Sequence, residues 1–104
     1  MIKKLNERAI VPSQSREGDA CYDLYILDDF VIRPHETVIL PTGIAMEIPE
    51  WWYGRVYWRS WLSLKWMLVM AGVIDSNYRG EVGVVAHNLS NEPIEFNEGD
   101  RIAQ

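Results

Sequence analysis

Between Gly72 and Gly80 the chain reads Gly72-Val73-Ile74-Asp75-Ser76-Asn77-Tyr78-Arg79-Gly80, and it places a carboxylate, an aromatic ring and a cation within one short turn. The apolar run Val73-Ile74 stops at Asp75, and a glycine stands at each end of the segment. This pattern predicts strand, tight turn, strand. Asn77 is a residue type that tolerates the left-handed conformation such turns use. The tip would present one acid, one ring and several unpaired backbone groups at fixed spacing, which suits a pocket for a flat polar ring with a reactive group beside it. An acid so placed can act as a general base. It can equally cap the turn, and Tyr78 can equally be half of a cross-strand aromatic pair.

Other candidates lie further off. Asp23 sits between apolar neighbours in Tyr22-Asp23-Leu24-Tyr25, so it is either on the outer face of a strand or functional. Arg59-Ser60 opens the one stretch, Ser60–Met70, whose composition predicts a short helix, with Ser60 as N-cap. The pair reads as an anion site or as a capped helix with an arginine facing solvent. Gln104 reads as a solvated amide on its own. His35 lies in a turn and faces solvent, His87 ends a strand, and Cys21 reads as a small buried residue. One cysteine and two distant histidines do not make zinc spacing.

The elements that must position these residues are strands. Turn signals recur every eight to twelve residues, separating β-favouring runs at Ala9–Val11, Tyr22–Ile26, Phe30–Ile32, Thr37–Leu40, Ile44–Ile48, Gly54–Trp58, Glu81–His87, Pro93–Phe96 and Arg101–Ala103. Such spacing predicts an all-β sandwich or barrel with one short helix. The 104 residues make a single domain, 1–104. The net charge of −5, with no basic stripe, argues against a nucleic-acid groove. A polyphosphate could still bind through local cations, backbone amides and a metal ion. A single cysteine fits a reducing compartment. The polar start is no signal peptide, and no apolar stretch is long enough for a membrane span, so a soluble, cytoplasmic protein is expected. The last residues open a strand that the chain does not finish, so either a tail was cut or a partner chain completes the sheet.

Four blocks together resemble the trimeric deoxyuridine triphosphatases (dUTPases). They are Ala20-Cys21-Tyr22-Asp23-Leu24, then Gly54-Arg55-Val56 with Arg59-Ser60 and Leu62, then Gly72–Gly80, then Gly99-Asp100-Arg101-Ile102-Ala103-Gln104. Pro41-Thr42-Gly43-Ile44 matches as well. The resemblance implies a distorted β jelly roll in a homotrimer, with active sites assembled at subunit interfaces. It implies the reaction of dUTP with water to give dUMP and pyrophosphate, with Mg²⁺ carried on the triphosphate. By the same resemblance Asp75 activates water, and Tyr78 stacks under the deoxyribose and leaves no room for a 2′-hydroxyl. The backbone of Gly72, Val73 and Ile74 reads the uracil edge. Arg59, Ser60 and Gln104 meet the phosphates, and Asp23 supports Mg²⁺ indirectly, through water. Arg79 and Arg101 look like interface or structural cations.

The chain departs from the family pattern in one place. All five tryptophans, Trp51, Trp52, Trp58, Trp61 and Trp66, fall in one short segment. Trp61, Trp51 and Met67 stand where the family has glycine, and an indole at 61 could block a backbone amide from a phosphate. The family's glycine-rich C-terminal arm is absent, so impaired catalysis is expected. The bias reads as engineering of a C-terminally truncated variant. An alternative function is a non-catalytic designed scaffold that assembles through the Trp51–Trp66 cluster; aromatic core packing is the plainer reading. A deoxycytidine triphosphate deaminase, which shares the fold, is set aside, because Val82–His87 offers no carboxylate.

Overall fold

The computed structural model of the chain describes residues 1–14, 16–59, 66–70 and 72–104. These residues form β1 (Ile2–Lys4), β2 (Leu24–Tyr25), β3 (Phe30–Ile32), β4 (Thr37–Pro41), β5 (Ile44–Met46), β6 (Gly54–Arg55), β7 (Met67–Met70), β8 (Val73–Ile74), β9 (Gly83–Asn88), β10 (Ile94–Phe96) and β11 (Arg101–Ala103). The class is all-β. The central sheet has the order β4-β9-β7, and four two-stranded sheets surround it: β1-β5, β3-β10, β2-β11 and β6-β8. The described strands do not close into a barrel.

Strand β9 shows why this sequence makes a sheet. Its side chains alternate along Gly83-Val84-Val85-Ala86-His87-Asn88, and Val84, Ala86 and Asn88 are the buried set. They pack into a core with Ile26, Ile32, Leu40, Ile44, Met67 and Ile102, contributed by both edges and by the outer sheets. Burying these aliphatic side chains supplies the main favourable term, about 1.5–3 kcal/mol for each. Asn88 is a polar residue inside that core, and it is fully hydrogen-bonded. Its Nδ2 donates to the carbonyls of Ile32 and Glu92 at 3.0 and 2.7 Å, and its Oδ1 accepts from Ser90 N and Oγ.

The structure corrects four expectations. First, the predicted helix Ser60–Met70 is not there over its last residues. Met67–Met70 is strand β7, paired antiparallel to β9 from Met67↔Asn88 to Met70↔Val85; residues 60–65 lie outside the described residues. Helix propensity in this stretch is a matter of tenths of a kcal/mol per residue, and burial of Met67 with a ladder along β9 outweighs it. Second, the two arms of the 72–80 turn are not hairpin partners. β8 pairs with β6, while β9 pairs with β4 and β7, so the turn connects two different sheets. Third, the left-handed backbone is not at Asn77. Among described non-glycine residues it occurs at His35, Trp51 and Trp66. Ala9–Val11 is irregular rather than a strand, and β1, which pairs with β5, is an edge strand with all its side chains exposed. No helix among the described residues is long and apolar enough to cross a membrane.

Candidate functional site

Asp75 follows β8 directly. The β6–β8 pairing sets Gly54 opposite Ile74 and Arg55 opposite Val73. The amide of Val56 then donates to the carbonyl of Gly72 at 2.6 Å. A side chain at 72 is excluded by this approach, since a Cβ there would lie 2.5 Å from the Val56 carbonyl oxygen. Past Asp75 the chain turns back, with the Tyr78 amide donating to the Asp75 carbonyl. Arg79 Nη1 donates to the carbonyls of Ser76 and Tyr78, which makes it a clamp on the turn. Tyr78 Oη donates to the Glu81 carbonyl at 2.7 Å and fixes the ring.

The turn walls a cavity of about 180 Å³ lined by Gly72, Val73, Ile74, Asp75 and Tyr78, with Val56, Met70 and residues 81–85 behind them. Five of the residues singled out in the sequence therefore share one concavity. Among the described strands β8 pairs only with β6, and its residues Val73 and Ile74 line the cavity. A volume of 180 Å³ is below the ~300 Å³ at which small-molecule sites begin, so it suits part of a nucleotide rather than the whole.

The phosphate candidates gather elsewhere. Asp23 is 5 % exposed. Its amide donates to the Ser13 carbonyl, and each carboxylate oxygen faces its own guanidinium: Arg59 Nε at 3.8 Å and Arg101 Nη1 at 3.5 Å. The pairing of β11 with β2 brings Arg101 to this place. Gln104 is stitched to Tyr57 by reciprocal amide–carbonyl bonds of 2.7 and 3.0 Å, and its Nε2 donates to the Trp58 carbonyl. Gln104 and Asp23 line a second cavity, of about 230 Å³, with Asp19, Ala20 and Cys21. Ser60 and Trp61 lie outside the described residues. Cys21 is half-buried rather than buried. His35 Nε2 meets Asn91 Oδ1 and His87 Nδ1 meets Thr37 Oγ1, each within a single hydrogen bond.

Arg101 is the residue the sequence undervalued. It opens β11, and only the pairing of β11 with β2 brings it to Asp23. No group of three or more His, Cys, Asp or Glu among the described residues forms a metal cage. A larger cavity, about 740 Å³, is walled by Trp66 and residues 90–95 and 97 and holds none of the catalytic or substrate-binding candidates.

Comparison with known proteins gives one answer. The dUTPase family profile matches residues 7–104. Deoxyuridine 5′-triphosphate nucleotidohydrolase of Yaba monkey tumor virus is 43% identical over 104 residues, covering 99% of this chain and 73% of that one. The enzyme of that name from Clostridium novyi is 38% identical, covering 100% and 75%. Among solved structures, a mutant dUTPase from phage phi11 of S. aureus superposes with a TM-score of 0.93 at 27% identity, covering 100% of this chain and 86% of that chain; it is described as coordinating a structural Mg(II) ion. The Staphylococcus bacteriophage 80alpha dUTPase with dUpNHpp reaches a TM-score of 0.94 at 25% identity, covering 100% and 78%. With the profile spanning both cavities and the backbone following a solved dUTPase from end to end, this chain belongs to the dUTPase family.

Proposed function

We propose that this protein hydrolyses dUTP to dUMP and pyrophosphate, with Asp75 as the base that activates water. The observation that carries the reading is the sharing of one cavity by Asp75, Tyr78 and the backbone of Gly72–Ile74. The uracil lies against the second edge of β8, and the deoxyribose lies over Tyr78. Asp75 takes a proton from water as its oxygen bonds to the α-phosphorus. The bond from that phosphorus to the bridging oxygen breaks, and pyrophosphate leaves in line. Arg59, Ser60 and Gln104 meet the phosphates, and Mg²⁺ arrives as part of the substrate.

The chain works as a homotrimer with a jelly-roll fold, in which the two cavities of different copies face one another. That arrangement answers the size of the cavities, since each is too small for the whole nucleotide. A second reading attaches to the run Trp51-Trp52-Tyr53, exposed at 93%, 70% and 63%: a surface for assembly in a non-catalytic protein.

Pyrophosphate release from dUTP with Mg²⁺ tests the first reading, beside an Asp75→Asn control. Loss of a general base lowers turnover roughly 10²–10⁴-fold. Equal release by the control removes Asp75 from the mechanism, and no release by either protein favours the assembly reading. A monomer in light scattering at micromolar concentration would contradict the shared site.

A further inference from the structure

We propose that Asp23 is a positioning residue, whose buried carboxylate holds the Arg59 guanidinium in the pose that receives the triphosphate, with Arg101 anchoring Asp23 from the other side. The inference rests on the dUTPase reading and assigns Asp23 a role toward arginine rather than toward metal.

The geometry carries it in three steps. A carboxylate only 5% exposed is strongly disfavoured without cationic partners. Here each oxygen has one, and the two guanidiniums differ in setting. Arg59 has a side chain 23% exposed, and Arg101 one 45% exposed. The ion-paired trio of two arginines and one aspartate carries one net positive charge, which Asp19 on the same cavity offsets in part, in a chain whose net charge is −5. An anion is the ligand such a cluster favours.

The pairing is also directional. Arg59 meets Asp23 through Nε, the side of the fork. An arginine held through Nε still has Nη donors to offer, and these can grip oxygens of a phosphate. The backbone of Asp23 is tied into the sheet, since its amide is bonded to Ser13 and its neighbour Leu24 is in register with Ala103. Each oxygen already faces a guanidinium, so the charge of the carboxylate is balanced by arginine. Asp19, which lines the same cavity, accepts from the Arg16 amide.

The experiment measures inorganic tripolyphosphate binding by calorimetry and dUTP kinetics across a Mg²⁺ titration, for wild type, Asp23→Asn, Asp23→Glu, Arg59→Ala and the Asp23→Asn/Arg59→Ala double variant. Asp23→Asn is expected to weaken tripolyphosphate binding and raise KM for dUTP about tenfold, with kcat changed less than KM and the half-activating Mg²⁺ concentration unchanged. In the Arg59→Ala background it adds less than about twofold, since the group it positions is gone. Asp23→Glu restores part of the binding. An equal effect in both backgrounds overturns the proposal. So does a shift confined to the Mg²⁺ curve, which would return Asp23 to the metal, and so does a fall in Tm with unchanged KM. Should Asp23→Asn fail to fold, Arg101→Gln releases the anchor alone, and a two- to threefold rise in KM is expected; no rise overturns the proposal. If wild type does not hydrolyse dUTP, the functional reading fails, while tripolyphosphate binding still reports the coupling of Asp23 to Arg59.

Discussion

Trp51 and Trp66 share an unusual backbone state and differ in everything else, so replacing each with glycine makes a controlled pair. Their φ angles are +73° and +61°, in the left-handed region. That conformation costs a side-chain-bearing residue roughly 1–2 kcal/mol, and glycine escapes it, against a loss of roughly 0.5–1 kcal/mol in chain entropy. These two backbone terms are common to both sites. Burial is not: Trp51 is 93% exposed and Trp66 is 66% exposed. Taking ~250 Å² for a whole tryptophan, about 20 Å² is covered at Trp51 and about 85 Å² at Trp66. At ~25 cal/mol per Å² these are worth roughly 0.4 and 2 kcal/mol. Trp51→Gly is therefore expected to be neutral or stabilising by up to about 0.5 kcal/mol, and Trp66→Gly destabilising by about 1–1.5 kcal/mol. The difference, ~1.7 kcal/mol, is the quantity to trust, because the backbone terms cancel. In a domain this small it corresponds to a gap of roughly 7–14 °C in Tm. Thermal and urea unfolding at several protein concentrations measure it. A Trp51→Gly variant as unstable as Trp66→Gly at low concentration would refute the reasoning, and a gap that shrinks as concentration rises would show that Trp51 packs against another copy.

Three further outcomes are expected. Gly80→Ala should fold normally yet lower the preference for dUTP over UTP by about tenfold. A Cβ at 80 would lie 2.7 Å from Tyr78 Oη and push the ring aside; competing-substrate assays read this, and an unchanged preference would show that the ring does not gate the sugar. Asn88→Leu should lose about 2–4 kcal/mol in urea unfolding, because two carbonyls and a serine amide lose their buried partner. Asp75→Asn and Arg59→Ala chains, refolded together in equal amounts, should regain about a quarter of wild-type turnover if each site of a closed oligomer draws these groups from different copies; no recovery would place both in one chain.

The all-β class was legible because period-two alternation and regular turn signals survive in a single sequence, as in Gly83–Asn88. Phe30–Ile32 and Arg101–Ala103 were read to the residue. What failed were assignments that depend on a partner strand. Leu64, Lys65 and Met67 favour helix locally, and nothing in the segment announces the ladder that Met67–Met70 makes along β9. The 72–80 turn looked like a hairpin because adjacent strands usually pair, yet β8 finds its partner at Gly54-Arg55. Of the site, the ring-and-acid cavity could be read, since all its candidates lie in one turn. The cluster of Asp23, Arg59 and Arg101 could not be drawn from spacing, because its members come from three distant segments joined only by pairing.

The same reasoning explains why large aromatic residues sit inside a segment that touches every part of the candidate site. From Gly54 to Arg59, successive residues meet β8, Gly72, Gln104 and Asp23. Nearly all of these contacts are made by backbone N–H and C=O groups. The side chains of Tyr57 and Trp58 turn outward instead, 42% and 47% exposed, and pack edge to face with ring centroids 6.4 Å apart while Arg55 lies over the Tyr57 ring. A change from small to large side chain on the outer face leaves a backbone ladder intact. Positions where the backbone itself must come close behave differently, and Gly72, against the Val56 carbonyl, is kept as glycine. The ribbon can therefore carry aromatic residues at 57 and 58 and still join the ring cavity to the cationic cluster, so the test of function lies in Asp75 and Arg59 and not in the tryptophans beside them.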